Sequence, residues 1–259
     1  MSLQLLPQTD SNRILLIVDE SWGSALNPKL QDAIVQKILD KRDNFEYFER
    51  GIKKFSGVTV QAELKELCQL DLPVIDTQNI KKKDLSKCLP KLLRDRGYTT
   101  YAVHGSTGTF YDRDDWYPAV GFQHLLFSEN MKSKPICSAF EGICDSAIFP
   151  DIKKMLLANQ QSFVYWMTLT THFPYAQQDI ELKRIHCEQY GLSPDSRACR
   201  NNILHAQFFD QLAQWLDDPA LKGLEVVVIG DHMPPMFDLA AQQATYHDYT
   251  VSWLHFKLK

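Results

Sequence analysis

The stretch Glu225–Pro235, EVVVIGDHMPP, decides how the chain is read. Its four uninterrupted apolar residues, Val226 to Ile229, suit a strand covered on both faces, as in a parallel sheet. The run stops at Gly230 and delivers Asp231 and His232, a carboxylate and an imidazole that can ligate one divalent cation. In open α/β sheets, ligands gather outside the carboxyl ends of the strands. A polar turn after a strand is also ordinary loop chemistry, so the pair gains meaning only from what other strands bring to the same edge.

Three further segments repeat the pattern. Arg13–Val18 (RILLIV) runs into Asp19-Glu20-Ser21, Tyr98–Val103 (YTTYAV) into His104-Gly105, and Ser162–Leu169 (SFVYWMTL) into Thr170-Thr171-His172. His124–Phe127 and the tail segment VSWLHFKL read as two more strands. Helical spacing separates them. Leu30, Ile34 and Ile38 mark a helix over Asn27–Lys41, with Asn27 as cap before Pro28. Val60, Leu64 and Leu67 mark a second, with Thr59 at its entrance. Helices are also expected over Lys81–Arg96, Cys144–Leu157 and Arg197–Leu216, a loop at Lys53–Gly57, and a polar insertion at Ile180–Pro194. This alternation predicts a single α/β domain over residues 13–259, with a mostly parallel central sheet and helices on both faces. Residues 1–12, MSLQLLPQTDSN, read as a tag or linker remnant.

With 259 residues, 44% of them apolar and 23% charged, the chain is long enough for one sizeable core. A net charge of −4 and a pI near 6.1 argue against a nucleic-acid partner. No apolar run approaches the roughly 20 residues of a membrane span, and no signal-peptide core is present. The six cysteines fall into three local pairs, Cys68 with Cys88, Cys137 with Cys144, and Cys187 with Cys199. That arrangement favours disulfides and an oxidising compartment over six reduced thiols, and the absence of CxxC spacing weakens a zinc reading.

Glu20, Asp231 and His232 together offer two carboxylates and an imidazole, a set that suits Zn²⁺ or Mn²⁺ better than Ca²⁺. Thr59 stands where a helix N-terminus favours an anion, and a metal-activated hydroxyl there can attack phosphorus or sulfur; the plainer alternative is a cap. Arg113 can clamp a phosphate with two bonds, or pair at the surface with Asp112, Asp114 or Asp115. His172 can donate to a phosphoryl oxygen or protonate a leaving group. His104 has a weaker claim, and His124, His186, His205 and His255 read as structural or surface residues.

In the order ILLIVDESWG, GVTVQAEL, GYTTYAVHGSTGTFYDRDDWY, TLTTHFPY and VVVIGDHM, from about residue 14 to 250, the chain resembles the sulfatase-like arm of the alkaline phosphatase superfamily. Within it, the catalytic domains of lipoteichoic acid synthases and of phosphoglycerol and phosphoethanolamine transferases look most similar. The family's metal-ligating Glu of an ES block falls on Glu20, and its nucleophilic Thr, four residues before a Glu, on Thr59 with Glu63. Its Asp-His pair falls on Asp231 and His232, its HxPY-type histidine on His172, and its aromatic-x-Arg block on Tyr111 and Arg113. The formylglycine block of true sulfatases is not matched, since Cys88-Leu89-Pro90-Lys91-Leu92 lacks the Ser-Arg.

The resemblance implies a transferase. Thr59 would attack the head-group phosphodiester of a phospholipid donor, release diacylglycerol, and pass the phosphoglycerol or phosphoethanolamine from a phosphothreonine to an envelope glycan or lipid acceptor. One Zn²⁺ or Mn²⁺ would be held by Glu20, Thr59, Asp231 and His232. Tyr111, Arg113 and His104 would bind the head group and His172 would assist catalysis, while His247 is the candidate for a second metal. The resemblance also implies a membrane anchor outside this chain, a place at the periplasmic or extracellular face, and disulfide-bonded cysteines. A hydrolase using the same site and a non-catalytic glycan-binding member are the alternatives.

Overall fold

The computed structural model describes residues 1–259. Its strands are β1 (Arg13–Asp19), β2 (Gly23–Ala25), β3 (Phe45–Lys54), β4 (Thr99–His104), β5 (His124–Leu126), β6 (Ser162–Met167), β7 (Leu224–Gly230) and β8 (Tyr246–Leu258). They form one sheet in the order β2-β8-β7-β1-β6-β4-β5, with β3 also paired to β8. Strands β7, β1, β6, β4 and β5 are mutually parallel, and β8 runs antiparallel to β7, β2 and β3.

The unbroken apolar runs have a direct cause. On β1, Leu15 and Ile17 enter one hydrophobic core while Ile14, Leu16 and Val18 enter the other, so both pleat faces must be apolar. Helices Pro28–Ile34, Phe149–Leu157 and Arg197–Trp215 cover the first face, and Thr59–Cys68, Leu89–Asp95 and Arg113–Val120 the second. Strand direction places the ends of β1, β4, β6 and β7, and hence Glu20, His104, His172 and Asp231-His232, along one edge.

Several elements depart from the sequence expectations. The loop expected at Lys53–Gly57 starts inside β3, a ten-residue strand whose face is mostly solvated and whose sequence, FEYFERGIKK, lacks a clean apolar alternation. The helix expected over Lys81–Arg96 begins only at Leu89, and the one expected from Cys144 begins only at Phe149. Pro90 and Pro150 sit in those first turns, where a missing N–H is harmless, and they disfavour helix before them. The Asn27–Lys41 helix breaks at Val35, although Asn27 caps it as expected, accepting from the Lys29 amide at 3.0 Å. Residues 1–8 are not a free linker. They form two short helical turns, bury Leu6, and bind Glu66 through the Ser2 amide and hydroxyl at 3.0 and 2.9 Å.

All six cysteines are bonded, Cys68 to Cys88, Cys137 to Cys144 and Cys187 to Cys199. Cys88 is therefore no candidate for formylglycine chemistry.

Candidate active site

Glu20, Asp231 and His232 converge where β1 and β7 lie side by side, with their ligand atoms all within 4.8 Å of one another. Gly230 permits this approach, because a Cβ there would collide with the Trp22 carbonyl oxygen. His232 Nε2 stands 3.3 Å from Glu20 Oε1 and 3.2 Å from Asp231 Oδ2. Its Nδ1 donates to the Met233 carbonyl at 3.0 Å, which orients the ring and leaves Nε2 facing the carboxylates. Asp231 Oδ1 accepts from the Ser21 and His232 amides, each at 2.7 Å, whereas Oδ2 is buried with no hydrogen-bond partner. An orphaned buried carboxylate oxygen, beside a second carboxylate and an oriented imidazole, is the donor set of a divalent metal.

Thr59 completes the group. It is the first residue of its helix, behind Val58, whose amide is capped by Gln61 Oε1 at 2.9 Å. Because Thr59 is the first helical residue and not the cap, its hydroxyl has no cap duty, and Oγ1 lies 3.3 Å from both Glu20 Oε2 and His232 Nε2. Electrostatics agree with a site built for a cation. Burial and the neighbouring Glu20 push the Asp231 carboxyl up to about 6. Burial alone would lower His232, but Asp231 and Glu20 outweigh it and hold the imidazole above its ordinary value.

His172 lies beyond the end of β6. Its Nδ1 donates to the Phe173 carbonyl at 2.6 Å, and burial lowers its proton affinity below the ordinary imidazole value. That favours a neutral ring whose Nε2 can accept a proton. The loop carrying it is anchored by Asp145, which accepts from the Leu169 and Thr170 amides at 3.0 and 2.7 Å; burial pushes that carboxyl up to about 7. His104 is buried at the end of β4. Its Nδ1 donates to the Met167 carbonyl at 3.0 Å, its Nε2 has no partner, and burial holds it well below its ordinary value.

Arg113 is not the surface ion pair that the sequence left open. It is 1% exposed and pairs with the wholly buried Glu63, Nη2 and Nε lying 2.8 and 3.1 Å from Oε2, rather than with a surface aspartate. Glu63 thus takes the Nε–Nη2 edge of the guanidinium, and Nη1 donates to the Phe110 carbonyl at 3.1 Å. Tyr117 and Tyr165 donate their hydroxyls to the same Glu63 carboxylate. Tyr111 sits at φ 58°, with the Arg113 guanidinium carbon 5.3 Å from its ring centroid. His247 is exposed on β8, in a groove with Trp22 and Arg50, and does not belong to the ligand group. His124 and His186 are exposed, while His205 and His255 are buried and pair with Asp19 and Glu225. His205 had no functional signal in the sequence, because its partner Asp19 lies 186 positions away.

Comparison with known proteins agrees with this geometry. The family model described as Sulfatase matches residues 53–254. The chain belongs to the sulfatase family. Among curated relatives it is 26% identical over 198 residues to lipoteichoic acid synthase 2 of Bacillus subtilis (strain 168), covering 73% of this chain and 29% of that protein. It is 23% identical over 220 residues to the lipoteichoic acid synthase of Staphylococcus aureus (strain USA300), covering 80% and 33%. The chain thus spans about a third of these relatives' length. The fold matches that of a lipoteichoic acid synthase from Listeria monocytogenes, with TM-score 0.72, 17% identity, and 94% of this chain and 65% of that one covered. It also matches a Streptococcus pyogenes phosphoglycerol transferase in complex with sn-glycerol-1-phosphate, with TM-score 0.69, 14% identity, and 99% and 72% covered. A protein of the alkaline phosphatase superfamily from Vibrio parahaemolyticus shares the fold as well, with TM-score 0.64, 16% identity, and 97% and 61% covered. No helix of the chain is long and apolar enough to cross a membrane.

Proposed function

We propose that the chain is a phosphotransferase domain that moves a phosphoglycerol or phosphoethanolamine group from a phospholipid donor to an envelope glycan or lipid acceptor, through a phosphothreonine at Thr59. The observation that carries this reading is the Thr59 hydroxyl, 3.3 Å from both Glu20 and His232 at the start of a helix. Glu20, Asp231, His232 and Thr59 would hold one Zn²⁺ or Mn²⁺. When bound, such an ion lowers the proton affinity of a hydroxyl and offsets charge on phosphoryl oxygens.

Thr59 Oγ1 then attacks phosphorus, the bond to the diacylglycerol oxygen breaks, and that oxygen leaves with a proton. The head group remains esterified to Thr59. Tyr111 and His104 would bind the head group; the Nε2 of His104 is buried and has no partner within the chain. Arg113, tied to Glu63, holds the turn that presents Tyr111. In the second half, His172 Nε2 takes the proton of the acceptor hydroxyl, whose oxygen attacks phosphorus and frees Thr59. The three disulfides support work at the periplasmic or extracellular face of a membrane.

The test is incubation with Mn²⁺ or Zn²⁺ and phosphatidylglycerol or phosphatidylethanolamine, followed by intact mass and product analysis with and without a glycolipid acceptor. The wild type gains one head-group phosphate on Thr59, and Thr59→Ala gains none and does not turn over. Adduct formation on another residue overturns the nucleophile. Free head-group phosphate without acceptor product assigns the site to hydrolysis instead.

A further inference from the structure

The turn that carries Glu20 is held from behind by a residue far away in sequence. His205, on the buried face of the helix Arg197–Trp215, is 1% exposed and lies between the two ends of that turn. Its Nδ1 is 3.0 Å from Asp19 Oδ2 and its Nε2 is 3.0 Å from the Ser21 carbonyl oxygen. Asn201, one helical turn earlier, places its amide nitrogen 3.3 Å from the same Nε2.

What the ring holds is not a relaxed turn. Ser21 has φ 61°, a left-handed conformation that a non-glycine residue adopts only when its surroundings enforce it. That conformation has a use. The Ser21 amide donates to Asp231 Oδ1 at 2.7 Å, and its hydroxyl donates to Glu20 Oε1 at 2.9 Å, so one residue orients both carboxylates of the ligand group. Asp19 is fixed on its other oxygen by the Thr168 hydroxyl at 3.2 Å, and the Thr171 hydroxyl donates to the Glu20 carbonyl at 2.7 Å. The turn is thus tied to the loop after β6 on one side and to the long helix on the other. On the helix side the tie is His205.

We infer that His205 is a positioning residue for the metal site: by clamping Asp19 and Ser21, it keeps Glu20 and Asp231 in ligating geometry without touching metal or substrate. The inference rests on the metal reading above. Metal ligands are oriented by groups one bond removed, and losing such a group weakens binding without abolishing it. His205 is one step further out, acting through the backbone turn rather than through a ligand's own atom.

Metal-binding calorimetry on the metal-free full chain, using MnCl₂ or ZnCl₂, tests this apart from activity. His205→Leu, which removes both contacts, is expected to bind about 10–100-fold more weakly than wild type. His205→Gln, which can renew one contact, should fall between the two. Asn202→Ala is the control. Its side chain ties the same helix to the Tyr246 hydroxyl at 2.8 Å and makes no contact with the turn, so its affinity should equal that of wild type even if its melting temperature drops. A merely structural role for His205 would lower the melting temperatures of His205→Leu and His205→Gln and leave metal affinity alone, which would overturn the inference. If His205→Leu does not fold, the His205→Gln affinity decides by itself: wild-type affinity overturns the clamp and weakened affinity supports it. Absence of metal uptake by the wild type overturns the metal reading and this inference with it, whereas uptake equal in wild type and His205 variants overturns only the clamp.

Discussion

Asp231 and His232 both hold protons more tightly in the metal-free chain than isolated side chains do, and that fixes the sign of a pH effect. With Asp231 pushed up to about 6 and His232 above its ordinary value, the folded protein keeps protons that the unfolded chain has already released. Stability of the metal-free protein therefore falls as pH rises through this window, since Asp231 gains its charge in a buried place and His232 loses the charge that Asp231 favours. A metal must displace the same protons, so its affinity should rise with pH, by about tenfold per pH unit for each proton released below the pKa of the group concerned, and level off once Asp231 and His232 have both lost theirs. Calorimetry in buffers of different ionisation enthalpy reads that release directly, and the thermal shift on adding Mn²⁺ or Zn²⁺ should be larger at pH 8. A pH-independent affinity would remove Asp231 and His232 as ligands. His172 predicts a separate effect. Because burial lowers its proton affinity, transfer by metal-saturated enzyme should hold steady as pH falls to the ordinary imidazole value and decline only below it; a decline beginning above that value would exclude the neutral ring as base. The Glu20, Asp231 and His232 cluster was legible in the sequence because each residue follows a strand, where short-range pattern suffices. His205 was not, since it meets Asp19 across 186 positions and its helix pattern says only that it faces inward.

At the scale of elements, the helix that begins at Thr59 is locked to the one that begins at Arg113 by a buried ion pair. Glu63 lies one turn after Thr59, and its carboxylate takes Arg113 together with the hydroxyls of Tyr117 and Tyr165. Breaking such a pair from one side leaves an uncompensated buried charge and is expected to cost about 3–5 kcal/mol. Glu63→Leu should show that loss in urea unfolding, and Glu63→Leu with Arg113→Leu should recover much of it because neither charge is then stranded. Equal destabilisation of the single and double variants would mean the pair acts only by packing. The central strands were legible because both of their faces are apolar. β3 was hidden for the opposite reason: it pairs only with β8 and leaves most of its side chains to solvent, so no periodicity separates FEYFERGIKK from a polar loop. Likewise Arg113 carried three neighbouring aspartates in sequence, and nothing local told that its partner would be Glu63, 50 positions earlier.

At the scale of the molecule, the bond Cys68–Cys88 joins the far end of the Thr59 helix to the entrance of the helix Leu89–Asp95. The segment between them exposes Val74 and Ile75 but buries Leu72, Ile80 and Leu85 in the second core, so packing and the bond both hold it. Closing 20 residues of sequence restricts the unfolded chain and should stabilise the fold by about 3 kcal/mol. Replacing both cysteines by alanine should lower the unfolding free energy by that amount and raise the urea m-value, as the released chain exposes more surface when unfolded. The same variant should bind metal as the wild type does. Cys68 ends a ten-residue helix whose other end is Thr59, so the bond lies roughly 14 Å of helix away from the ligand group. An unchanged unfolding free energy would show that packing alone holds the segment, and weakened metal binding would show that the bond fixes the angle at which this helix delivers Thr59.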